Sequence, residues 1–261
     1  MNKRIFNGRL KLLSALLAVL GIISIYTGVS ITYFNFIKDR ENDDIIKNDN
    51  EQIIAKTNEI QYNKNPVLVS YTNIPTYNQK VSGYPLGCEG VSLFMALKGL
   101  GYIENYNIDQ FMATMPIGKT PYEGFMGDPK IRHEGINIGK RTTIYPEPLA
   151  NWASKFANSK DLTGASVDIL KNELSQGHVV LVFVTGGWNE PYWKKYSWSR
   201  TSQGEIENNH CLCVVGFDAE GNILVNDCHD GRVDGRQGEY WVSAEKFAKI
   251  YNLRKYAVSV F

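Results

Sequence analysis

Hydrophobic and polar positions divide the chain into three stretches of different character. Leu12 to Ile37 carries no charged side chain. The run is apolar on every face and longer than the roughly 20 residues that cross a bilayer as a helix. Residues 38–65 are polar and charged, beginning Lys38-Asp39-Arg40-Glu41, and read as a solvated stalk. From Pro66 to Phe261 apolar positions recur with the periods of helices and then of strands, at the length of one domain with a full core.

Within 66–261 the pattern begins with a short extended segment, Val67 to Tyr71. A helical run follows, Val91 to Leu100, apolar on more than one face and ended by Gly99 and Gly101; such a helix belongs in a core. Further helices are predicted at Ile108 to Met115, capped by Asn107, at Leu149 to Ala157, and at Val167 to Gln176, capped by Ser166. Pro116 to Pro148 is a long irregular stretch rich in Gly and Pro. Beyond Gly177 the residues favour strands. His178 to Val184 reads as a central strand, Cys211–Phe217 and Asn222–Cys228 as a hairpin about Asp218-Ala219-Glu220-Gly221, and Ala257 to Phe261 as another strand. Helices first and an antiparallel sheet second describe an α+β fold.

Composition narrows the function. The 261 residues are 43% hydrophobic and 21% charged with a formal net charge of +1, which argues against binding nucleic acid by charge. Four cysteines are too few for a disulfide scaffold. Lys3, Arg4, Arg9 and Lys11 precede the apolar run, so residues 1–11 are assigned to the cytoplasm, 12–37 to a membrane anchor and everything after Lys38 to the outside. If the apolar segment were instead cleaved, the domain would be secreted.

Cys88 is the chief candidate for chemistry. It opens the helical run, where unpaired N–H groups and the positive end of the helix dipole favour a thiolate. Upstream, Gln79 supplies a side-chain amide that with the Cys88 N–H can hold an oxyanion. His210 heads one strand of the hairpin. If Phe217 faces Asn222, Leu212 lies opposite Asp227, and His210 and Asp227 share a face as diagonal neighbours. A slip of one residue puts Asn226 there instead, so Asp227 is the first choice and Asn226 the reserve. The same register sets Cys211 against Cys228 on the other face, either as small core residues or as a cross-strand disulfide. Among the other histidines, His178 precedes a buried strand, His133 lies in the long loop and His229 follows Asp227. Neither CxxC nor HxxxH spacing occurs around Cys211, Cys213 and Cys228, so no metal or cofactor is expected. A calcium loop at Asp230 to Gly235 lacks its closing Glu and reads as a surface turn. Trp188, Tyr192, Trp193, Tyr196 and Trp198 form either a wall for an extended ligand or a cap on the sheet.

Tyr77-Asn78-Gln79, Gly87-Cys88-Glu89-Gly90-Val91-Ser92-Leu93, Asn209-His210 with Val214 to Asp218, and Val225-Asn226-Asp227 together resemble papain-like cysteine peptidases of the bacteriocin-processing, double-glycine leader type. The likeness is nearest to the stand-alone, membrane-anchored or secreted bacterial branch and spans nearly all of 67–261. It implies a papain-like fold with the nucleophile helix packed on a C-terminal antiparallel sheet, and peptide-bond hydrolysis outside the plasma membrane. By this likeness Cys88 is the nucleophile, His210 the base, Asp227 the orienting acid and Gln79 the oxyanion residue. The implied partner is a peptide or protein, including cell-wall peptide. An amidase or transpeptidase on wall peptide, or an inactive surface binding module, are the alternatives. Cys228 departs from the family, which often has proline after the acid. No GxxxxGK[ST] motif for an export ATPase is present.

Overall fold

A computed structural model describes residues 68–130, 142–229, 231 and 235–261. The described residues belong to one compact unit, 66–261. The expected anchor and stalk, His133 and most of the Asp230 to Gly235 turn lie outside the described residues. Among the described residues no helix is long and apolar enough to cross a membrane.

Among the described residues the domain is organised by one seven-stranded sheet, and every pairing in it is antiparallel. Its strands are β1 (Leu68–Tyr71), β2 (Ser159–Asp161), β3 (Val179–Thr185), β6 (Asn209–Asp218), β7 (Ile223–Asp227), β8 (Gly238–Val242) and β9 (Ala257–Val260). They run in the order β2-β9-β3-β6-β7-β8, with β1 also paired to β6. β4 (Trp193–Lys194) and β5 (Glu205–Ile206) make a separate pair. Period-two alternation gives the sheet two apolar faces. Val179, Leu181, Phe183, Cys211, Cys213 and Val215 face one core; Val180, Val182, Val184, Leu212 and Val214 face the other.

The first face is covered by α1 (Cys88–Gly99), with α2 (Ile108–Met112) and α3 (Pro146–Ala153) alongside. Every residue of α1 from Cys88 to Leu97 is buried, as its all-round apolar pattern requires. Phe111 stacks on Trp152 with ring centroids 4.6 Å apart. The second face is covered by α4 (Val167–Ser175) and α5 (Ala244–Tyr251). The predicted caps form: Asn107 accepts from Gln110 N and Ser166 from Ile169 N. Helices therefore clothe both faces of the sheet, whereas the sequence pattern placed only an N-terminal helical part on one. The unforeseen helix is α5. Phe247, Ile250 and Tyr251 at helical spacing bury its inner stripe, and Ser243 caps it.

One irregularity decides the position of the site. The turn end of the β6–β7 hairpin pairs Phe217 with Ile223, not with Asn222. The register shifts between Val214 and Gly216, and beyond the shift Cys213 pairs with Asn226 and Val214 with Val225. This bulge moves the pairing by one residue and restores the phase that the sequence predicted for the far end. Gly216 is needed there because a Cβ would meet the Ser70 carbonyl oxygen at 2.3 Å.

Candidate active site

A buried polar contact joins the far ends of β6 and β7. His210 Nε2 lies 2.6 Å from Asp227 Oδ1, and both side chains are buried. The restored register makes them diagonal neighbours on one face, as in other antiparallel pairs. Asn226 is on the opposite face and takes another task. Its Nδ2 donates to Ile74 O at 3.1 Å and its Oδ1 accepts from Thr76 Oγ1 at 2.8 Å, so it holds the incoming loop.

Asp227 is heavily supported. Its Oδ1 accepts from His229 N at 2.8 Å and its Oδ2 from Tyr240 OH at 2.7 Å. Burial alone would raise this carboxyl. The His210 charge and hydrogen bond, with the hydrogen bonds from the Tyr240 hydroxyl and the His229 main-chain N–H, outweigh it and bring the pKa down to about 2. Trp188 Nε1 in turn donates to Tyr240 OH at 3.0 Å, and Trp188 packs on Phe247 of α5. Trp188 holds φ 59°, a left-handed conformation for a bulky residue. It belongs to the support of Asp227, not to an exposed wall. Farther along the same loop Tyr196 stacks on Trp198 at 4.8 Å, and Tyr192 is exposed.

Tyr240 was not legible as a site residue because Gly238–Val242 carried no strand signal strong enough to register. Its pairing with Val225 makes it a diagonal neighbour of Asp227. That is the geometry that pointed to His210.

The thiol end differs. Cys88 is the first residue of α1, behind Gly87, and lies within the core of the first sheet face. His210 alternates in phase with Leu212 and Val214, which face the second core. The two halves of the candidate site thus approach the end of β6 from different sides. The Cys88 S–H lies 3.4 Å from Glu89 Oε2. Burial, and then the adjacent Glu89 carboxylate, push the thiol well above its ordinary pKa, against a hydrogen bond from the Cys211 main chain. This corrects the expectation of a thiolate at rest. The helix terminus is outweighed by lost solvation and by a like charge next door. Glu89, wholly buried, is held by Thr143 Oγ1 and by Asn209 Nδ2 at 3.3 Å, so the residue before His210 reaches the residue after Cys88.

Gln79 stands beside both halves, half-buried. Its N–H donates to Cys228 O at 2.9 Å, its Nε2 donates to Pro85 O at 2.6 Å, and its Oε1 lies 3.3 Å from Cys228 Sγ. The amide expected to face an oxyanion is here directed at Pro85. Cys228 occupies the seam: its Sγ is 3.6 Å from Cys88 O and 3.7 Å from Cys211 O. All four cysteines are buried free thiols, so Cys211 and Cys228 behave as core residues here and not as a disulfide.

A thiol at a helix start thus packs on an antiparallel sheet that carries a buried His–Asp pair at its end. The Peptidase_C39 like family model matches residues 71–259. The chain belongs to this family. A Bacillus anthracis protein provisionally described as a C39-like peptidase has a crystal structure that superimposes with a TM-score of 0.58 at 21% identity. The match covers 74% of this chain and 97% of that one, and it shows that the two share a fold. No curated protein sequence gives a significant match. Membership of this peptidase family accounts for the α+β architecture and points to a peptide or protein as substrate.

Proposed function

We propose that the chain is an extracytoplasmic cysteine peptidase of the bacteriocin-processing branch, held at the plasma membrane by residues 12–37. Cys88 is its nucleophile, His210 its base, Asp227 the acid that orients the base, and Gln79 its oxyanion residue. The observation that carries this reading is the buried His210–Asp227 contact of 2.6 Å at the end of the sheet on which the Cys88 helix packs. In the reaction His210 takes the Cys88 proton and the sulfur attacks the peptide carbonyl. The Cys88 N–H and the Gln79 amide stabilise the oxyanion. His210 then protonates the leaving amine, and water, deprotonated by His210, releases the acyl group.

Two features set the resting site apart from a poised one: Cys88 is a neutral thiol, and the Gln79 amide is bonded to Pro85. Substrate binding is proposed to exchange both. The same two features favour a second reading, an inactive surface binding module of this fold.

One experiment separates the two. The full chain, reconstituted in membranes, is incubated with a peptide library and with cell-wall fragments, and products are mapped by mass spectrometry. Peptide cleavage that falls by at least about 10³-fold in both Cys88→Ala and His210→Ala supports the peptidase. Cleavage confined to wall fragments moves the assignment to an amidase. Retention of a peptide without cleavage establishes the binding module.

A further inference from the structure

Three donor atoms of different chemistry converge at the end of β6 and β7. A ring nitrogen of His210, a carboxylate oxygen of Asp227 and Cys228 Sγ all lie within 4.8 Å of one another. Their residues are 5%, 4% and 0% exposed. We propose that these three side chains form a binding site for a zinc-like divalent cation, and that its occupation takes His210 out of service as a base.

The donor set selects the class of ion. Nitrogen, oxygen and sulfur together suit Zn²⁺ or Co²⁺, whereas Mg²⁺ and Ca²⁺ take oxygen ligands. Three protein ligands leave a fourth tetrahedral position for water. Zinc bonds of about 2.0–2.3 Å put tetrahedral donors roughly 3.3–3.7 Å apart. The 4.8 Å spread closes to that by side-chain rotation. The 2.6 Å His210–Asp227 contact opens by roughly 1 Å as the metal replaces the shared proton.

Charge and surroundings agree. A divalent cation with one carboxylate, one thiolate and a neutral imidazole is a neutral centre, so its burial avoids the penalty of an isolated ion. Asp227 already accepts from Tyr240 OH and His229 N, the outer contacts that fix a ligating carboxylate. Cys228 stands where the resembled family often has proline, and proline has no donor atom to offer. The CxxC and HxxxH spacings sought in sequence miss this set because the bulge in β6, not local spacing, brings His210 to residues 227 and 228.

Binding releases the Cys228 S–H proton to solvent, because the ligand is the thiolate. The imidazole stays neutral, with its proton on the nitrogen away from the metal. Affinity therefore rises with pH. Binding needs no turnover, so the cation site is tested apart from the hydrolytic reading; only its effect on His210 as a base rests on that reading.

The test titrates the full chain in detergent with CoCl₂ and ZnCl₂. One equivalent of Co²⁺ is expected to give a sulfur-to-cobalt charge-transfer band that Zn²⁺ abolishes. Cys228→Ser is expected to lose the band and weaken Zn²⁺ binding at least about 100-fold, and Cys88→Ala to keep both. Absence of one-to-one binding, a band that survives Cys228→Ser, or a band lost in Cys88→Ala overturns the proposal. If Cys228→Ser does not fold, alkylation of the unaltered chain gives the answer. In urea just sufficient for both buried thiols to label without metal, Zn²⁺ protecting Cys228 but not Cys213, mapped by mass spectrometry, supports the site, and equal labelling overturns it.

Discussion

The His210–Asp227 end of the site and the Cys88 end are built on opposite principles. At the first, Asp227 is charged, buried and met by His210, Tyr240 and a backbone N–H. At the second, the thiol is neutral, and a buried carboxylate one residue away disfavours its anion. The proposed acid–base half is organised before any ligand arrives. The proposed nucleophile is held as a neutral thiol. Preorganised charge is cheap where several donors share it and expensive where burial is unrelieved.

That contrast can be broken most forcefully at Asp227. Asp227→Ala is expected to destabilise the domain by about 3–5 kcal/mol at neutral pH, since it strands His210 and the Tyr240 hydroxyl without their acceptor. Urea unfolding measures this. The carboxyl falls to about 2 in the folded state, below the unfolded value near 3.9. Its contribution is therefore complete above about pH 4 and is lost as pH drops toward 2. The variant should lack that acid-dependent loss, and a retained loss would assign it to another carboxylate.

Tyr240→Phe sharpens the comparison more gently. Removing one charge-assisted hydrogen bond should cost about 1.5–3 kcal/mol and raise the Asp227 pKa from its present value. The acid-unfolding midpoint then moves to higher pH. An unchanged midpoint would mean that the hydroxyl does not hold the carboxylate. The smallest effect is at the other end. Glu89→Gln removes the negative charge beside Cys88, so the thiol pKa falls and alkylation at pH 7 should quicken several-fold. Slower or unchanged labelling, followed by mass spectrometry of the Cys88 peptide, would leave burial as the whole cause.

Sequence reading reached the acid–base half further than the nucleophile half. Strand alternation put His210 and Asp227 on one face because both lie in regular pairing, and the all-round apolar α1 was legible as a core helix. The thiol's charge state was not, since it depends on Glu89, Thr143 and Asn209 meeting from three separate elements. Tyr240 and α5 escaped because their signals are short amphipathic patterns beyond the hairpin. Whether Trp188 lines a wall or caps the sheet was not legible, because its burial rests on packing against α5. The hairpin register shows a compensated error: the turn was placed one residue out, and the offset at Val215 cancelled it.

That offset uncouples two parts of the hairpin. Phase at the chemical end is anchored inside the strand, where the close passage of β1 at Gly216 pins it. The connecting loop from Asp218 to Asn222 is thereby relieved of setting alignment. Lengthening or trimming it should alter the rim of the molecule while the imidazole and carboxylate keep their appointment.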